Sequence, residues 1–231
     1  MPCCNFVARV KRVVRRWLVL PVLIIVAAVG ASHALDFDHL MARFRGFGGQ
    51  DPVLRDWEKL LVDARPLATK DKLRRVNDFF NSRIQSGDDQ EIWGQSDYWA
   101  TLLETLARGQ GDCEDFTTAK YFTLLNVGVP NEQLRLVYVK AKIGGTASRV
   151  TQPHMVLAYY DAPEADPLVL DNLIADLRSA PRRPDLQPVF SFNSQSIWQG
   201  AAGKTAASPN SFGLLSHWEG LLKRAKAEGF D

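Results

Sequence analysis

Apolar residues recur at helical spacing through the first half of the chain and switch to short strand-like runs in the second. Asp51-Pro52 is a strong helix start, with Trp57, Leu60 and Leu61 on one face and Pro66 as the stop. A second helix is expected from Thr69 or Lys70, with Leu73, Val76, Phe79, Phe80 and Ile84 along one side. Leu102, Leu103 and Leu106 predict a short helix stopped by Gly109 and Gly111, and the next runs over 112–126, closed by Gly128 and Pro130. From there the pattern changes. Segments 134–141, 155–160 and 168–170 read as strands, Phe190, Phe192 and Ile197 as one more extended piece, and 214–226 as a final amphipathic helix. The gaps between the strands are too short for helical crossovers and favour antiparallel pairing. Segments 35–50, 87–89 and 181–188, rich in glycine or proline, are expected to be loops. Helices first and an antiparallel sheet after them make an α+β fold.

The extreme N-terminus reads differently. A basic stretch with Arg9, Lys11, Arg12, Arg15 and Arg16 precedes an apolar run over 17–31, followed by Ser32-His33-Ala34. This is the layout of a secretory signal over 1–34, with the folded domain over 35–231. The run is short for a membrane span, which needs about 20 residues; an uncleaved anchor is the alternative, and it would be the chain's only membrane contact. Either way the domain is expected outside the cytoplasm. The formal net charge of +2 and the lack of a basic stripe interleaved with aromatics give no case for nucleic acid.

Removal of residues 1–34 leaves one cysteine, Cys113, in Gly111-Asp112-Cys113-Glu114-Asp115. A lone thiol in an oxidising compartment is a liability unless it is used. At a helix N-terminus the dipole favours its thiolate. Three acidic neighbours oppose that, so a cation is expected to settle them, and Ca2+ is the simplest candidate for a set of carboxylates. Taken alone, the same residues also fit a buried structural cysteine beside a capping aspartate. A nucleophilic cysteine needs a base and an orienting group. Of His39, His154 and His217, only His154 is expected at a strand start, and Asp171 closes the following strand.

A cysteine at a helix start, then histidine and aspartate on successive strands, is similar to the transglutaminase-like and papain-like pattern. Residues 97–101, Leu103-Glu104-Thr105-Leu106 with 111–115, and 154–160 together resemble the bacterial transglutaminase-like cysteine proteases, of the LapG type. The likeness covers roughly 50–225. It implies Cys113 as nucleophile, His154 as general base and acid, Asp171 as the group orienting the imidazole, and Asp112, Glu114 and Asp115 as calcium ligands. It further implies a periplasmic protease that cuts the N-terminal region of a large adhesin. The implied partner is an inner-membrane receptor (LapD type) that senses cyclic-di-GMP and withholds the protease. Leu102 stands where that family is expected to carry proline, which leaves the start of its helix open. An acyltransferase using an amine acceptor, and a non-catalytic binding module, are the rival readings.

Overall fold

Asp36 starts the first helix. Its carboxylate accepts the N–H groups of Asp38 and His39 at 3.1 Å each, the usual N-cap arrangement. The computed structural model describes residues 35–145, 148–201 and 212–230, without the side chains of 212–215. The leader expected over 1–34 lies outside the described residues. Helix α1 is Phe37–Gly46, with Leu40 and Phe44 buried one turn apart. The loop expected over 35–50 is therefore mostly helix. Its glycines sit at and beyond the helix end, where Gly48 takes a positive φ of 82°.

Helices α2 (Asp51–Ala64) and α3 (Thr69–Arg83) follow the expected spacing. Trp57 is fully buried, and its indole N–H donates to Thr123 Oγ1 at 2.9 Å. That bond satisfies the ring's one polar atom inside the core. The glycine-aspartate stretch expected as a loop contains a short helix, α4 (Asp89–Trp93), capped by Asp88. Helix α5 (Leu102–Arg108) begins at Leu102 behind a Thr101–Glu104 capping box. The missing proline therefore costs nothing: at a first helical position proline is favoured but not needed.

Helix α6 (Cys113–Asn126) is buried on nearly every side, which hides its helical period in the sequence. It packs against α3 and α5 on one side and the sheet on the other. The main sheet is antiparallel, with strand order β6-β5-β4-β3-β7-β8. These strands are β3 (Leu134–Lys142), β4 (Thr151–Tyr159), β5 (Leu168–Leu170), β6 (Arg178–Ser179), β7 (Leu186–Phe192) and β8 (Ile197–Gln199). Two parallel two-residue strands, β1 (Gln85–Ser86) and β2 (Gln110–Gly111), form a separate clip.

Alternation sorts the sheet into two faces. Leu134, Leu136, Met155, Leu157, Leu170 and Phe192 join the helical core. Val137, Val139, Ala141, Val156, Ala158 and Val169 form a second cluster on the other face. Two expectations shift here. His154 is the fourth residue of β4, not its first, because pairing with β3 continues out to Lys142↔Thr151. The proline-rich segment 181–188 is part strand, with Pro188 opposite Val139 where the register slips. A residue without an N–H is tolerated at such a bulge. Helix α7 (Phe212–Glu228) closes the described chain. Among the described residues no helix is long and apolar enough to cross a membrane.

Candidate active site

Gly111 sets the approach to α6. A Cβ there would lie 2.7 Å from Asp115 Cβ and 2.8 Å from its Oδ2, so only glycine lets the chain turn this tightly. Asp112 caps the helix, accepting the Glu114 N–H at 3.1 Å and the Asp115 N–H at 3.4 Å, and Asp115 reaches back to the Asp112 N–H at 3.4 Å. Cys113 is thereby the first helical residue. Its N–H precedes the intrahelical bonds and points out of the helix start.

The half-buried Cys113 thiol donates to Glu114 Oε2 at 2.7 Å. Burial, then Glu114 and Asp112, push it well above the usual thiol range, and the backbone N–H of Met155 works the other way. That N–H lies on an edge of β4 left open where β5 ends at Leu170, opposite Leu157. Thr117, one turn into α6, donates to the Met155 carbonyl at 3.2 Å. The head of α6 thus docks against β4 beside His154.

His154 and Asp171 come together across that strand end. His154 Nε2 donates to Asp171 Oδ1 at 2.8 Å, with both residues shut off from solvent. An ionised carboxylate only accepts, so the bond puts the proton on Nε2 and leaves Nδ1 as the lone-pair nitrogen. Asp171 also accepts the Leu173 N–H at 3.0 Å and Arg183 at 2.7 Å. Burial alone would raise its pKa. The bonds and charges of His154, Leu173 and Arg183 outweigh that and bring it down to about 2. Arg183 is itself 3% exposed and is held by Asp185 at 2.7 Å. On the core side lies Lys120, 1% exposed, with its Nζ 5.5 Å from the Phe116 ring centroid. Burial lowers its pKa to about 7, against the pull of Asp171 and Asp78.

The clip of β1 and β2 brings a further acid to the helix start. Gly87 donates to the Gly111 carbonyl at 3.0 Å, and two residues on, Asp89 joins Asp112 and Asp115. One ligand oxygen from each of these three lies within 4.8 Å of the others. Burial, then Asp112, raises Asp89 to about 6; burial, then Glu114, raises Asp112 to about 8; burial, then Asp112, raises Asp115 as well. Asp89 Oδ1 is buried and has no hydrogen-bond partner among the described residues. An excess of buried acid with an orphaned oxygen and an all-oxygen donor set fits a hard divalent cation such as calcium. Of the three acids expected as ligands, Asp112 and Asp115 stand in this group together with Asp89, and Glu114 accepts from the Cys113 sulfur beside it.

The loop over 97–101 holds these acids from above. The Tyr98 N–H donates to Asp89 Oδ2 at 2.5 Å and the Ala100 N–H to Asp115 Oδ1 at 2.8 Å. Asp97 takes a positive φ of 59° to make that turn. Helix α7 clamps the same loop: Arg224 lies 4.8 Å from the Tyr98 ring centroid and donates to the Trp99 carbonyl, and Thr101 donates to Glu228 at 2.8 Å. His217 stacks on Trp99 and lies 3.6 Å from Asp97, so it belongs to this clamp, while His39 lies in α1.

Cys113, Glu114 and Asp112 line an open cleft of about 420 Å3, together with Asp88, Asp89, Ser96, Asp97, Tyr138 and Pro153. Sequence reasoning missed Asp89 and Arg183. No spacing ties residue 89 to 112, because a pair of two-residue strands makes the connection. Arg183 sits in a stretch whose prolines read only as loop.

The family model described as "Bacterial transglutaminase-like cysteine proteinase BTLCP" matches residues 61–183. Among solved structures, Legionella pneumophila LapG is similar at 35% identity and a TM-score of 0.66, covering 81% of this chain and 96% of that one. Its calcium-bound form matches at 37% identity, with a TM-score of 0.66 and coverage of 81% and 97%. The EGTA-treated form matches at 34%, with 0.67 and coverage of 81% and 96%. No curated protein matches the chain.

Proposed function

Since the chain belongs to the bacterial transglutaminase-like cysteine proteinases and is a cysteine protease, we propose that it is a periplasmic, calcium-dependent endopeptidase whose substrate is the N-terminal region of a large surface adhesin. Cutting there releases the adhesin and ends attachment in a biofilm. The observation that carries the catalytic part is the packing of the head of α6 on β4, where Thr117 donates to the Met155 carbonyl. The neighbouring residue on that strand is His154, already bonded to Asp171.

Cys113 gives its proton to His154 Nδ1 and attacks the scissile carbonyl carbon. The Cys113 N–H, at the positive end of α6, faces the oxygen that gains charge. The imidazolium returns the proton to the leaving amine, and water, deprotonated by the same imidazole, hydrolyses the thioester. Asp171 keeps the imidazole in the right tautomer and stabilises its charged form. Arg183 holds Asp171 ionised and fixed in place.

Asp89, Asp112 and Asp115 would hold the calcium ion, which supplies positive charge beside Cys113. The calcium-bound and EGTA-treated forms of Legionella LapG support this reading. The adhesin substrate, the export signal over 1–34 and an inner-membrane receptor sensing cyclic-di-GMP as partner rest on the resemblance in the motifs. The test is incubation with an N-terminal adhesin fragment in calcium and in EGTA. Cleavage in calcium only, lost in Cys113→Ala, is expected; cleavage by Cys113→Ala at the wild-type rate would reject it.

A further inference from the structure

An oxyanion is held by donors that are fixed before the reaction starts, and one backbone N–H is rarely enough. The stretch 95–99 is the natural place to look for a second donor, but its ring donors are committed. Trp99 Nε1 donates to Asp97 at 2.9 Å and Tyr98 Oη to Glu104 at 2.9 Å. Ser96 and Gln90 line the cleft at exposed positions.

Tyr138 is different in each respect. It lines the same cleft as Cys113. In the β3–β4 register it lies directly across from Met155, the residue whose carbonyl accepts from Thr117 one turn along α6 from Cys113. Directly paired residues on one sheet face carry side chains about 5 Å apart, so the phenol stands with Met155 on the face that packs against the helices, in the cleft it shares with Cys113. The ring is stacked on Phe190, with centroids 5.3 Å apart at 18°. Its strand is paired on both edges. Its hydroxyl has no hydrogen-bond partner among the described residues, and it keeps its proton because burial and the nearby Glu114 raise its pKa.

We propose that the Tyr138 hydroxyl is the second oxyanion donor, acting with the Cys113 N–H. As the C–S bond forms, the carbonyl π electrons move to oxygen, and Tyr138 donates a hydrogen bond to that oxygen without giving up its proton. When the intermediate collapses, the carbonyl reforms, the amine leaves with the proton from His154, and the phenol is unchanged. This rests on Cys113 being the nucleophile.

Two reagents separate the roles. Acylation of Cys113 by p-nitrophenyl acetate passes through an oxyanion, whereas alkylation by iodoacetamide does not. Both are run on the calcium-loaded protein, with Cys113 read by peptide mapping. Tyr138→Phe keeps the stacked ring, and its fold is checked by circular dichroism and melting. Acylation is expected to slow about a hundredfold while alkylation stays within about threefold. Unchanged acylation overturns the assignment. So does an equal fall in both rates, since Tyr138 would then act on the thiolate itself. Should wild-type Cys113 react with neither reagent faster than free cysteine, the nucleophile reading fails first, and Tyr138 loses its role with it.

Discussion

His154 Nε2 and Asp171 Oδ1 lie 2.8 Å apart in a place water does not reach, with side chains 2% and 0% exposed. A carboxylate in such surroundings is costly unless it is fully bonded, and Asp171 is: an imidazole, a guanidinium and a backbone N–H converge on it. The pair fixes which ring nitrogen is free for chemistry. Asp171→Asn should lower kcat by about 10³–10⁴ through the wrong tautomer, as in other nucleophile–histidine–aspartate enzymes. Kinetics on a cleaved adhesin fragment, beside an unchanged circular dichroism spectrum, check it.

The same pair leaves a mark on stability. The folded pKa of Asp171 is about 2, against an ordinary 3.8. A depressed carboxylate contributes stability that is complete above its unfolded pKa and is lost as pH falls through the folded one. The contribution is about 2 kcal/mol. Urea unfolding between pH 5 and pH 2 should show wild type losing stability more steeply than Asp171→Asn.

Lys120 predicts the reverse of the usual surface lysine. Its folded pKa is about 7 against 10.5, so the unfolded chain binds more protons between those values and stability rises with pH across that window. Lys120→Met should flatten the rise and stabilise the protein at neutral pH by on the order of 1–4 kcal/mol. Denaturant midpoints at pH 7 and pH 9 for both proteins decide it.

Calcium should displace protons. In the metal-free protein Asp112 sits near 8 and so holds a proton at pH 7 that a bound cation expels, and burial shifts Asp115 in the same direction. Isothermal titration in buffers of different ionisation heat should give a buffer-dependent enthalpy and net proton release. Asp89→Asn, which alters the orphaned acid but not the cap of α6, should weaken calcium binding about tenfold or more. Equal affinity in wild type and Asp89→Asn would remove Asp89 from the site.

Much of this was legible in the residues themselves. Asp51-Pro52, Gly128-Val129-Pro130 and the alternation in 134–141 carry strong local signals, and the element order follows from them. Cys113, His154 and Asp171 stand out in the sequence because a lone thiol, a strand histidine and a strand-end aspartate each carry a chemical demand, and the structure pairs the last two. What stayed hidden depends on long-range pairing. Asp89 reaches Asp112 only through the Gln85↔Gln110 and Ser86↔Gly111 pairs. Arg183 matters only once the chain folds back on Asp171. Helix α1 was lost to its own terminal glycines, which mark where a helix ends as readily as where a loop lies.

The most direct test follows the Cys113 sulfur itself. The rate of Cys113 alkylation by iodoacetamide is measured from pH 5 to pH 9 in the calcium-loaded protein, for wild type and His154→Ala, with adducts assigned by peptide mapping. An imidazole that takes the thiol proton predicts alkylation at neutral pH faster than free cysteine, and a loss of about tenfold or more in His154→Ala. Identical profiles for the two proteins, no faster than free cysteine, would contradict the account.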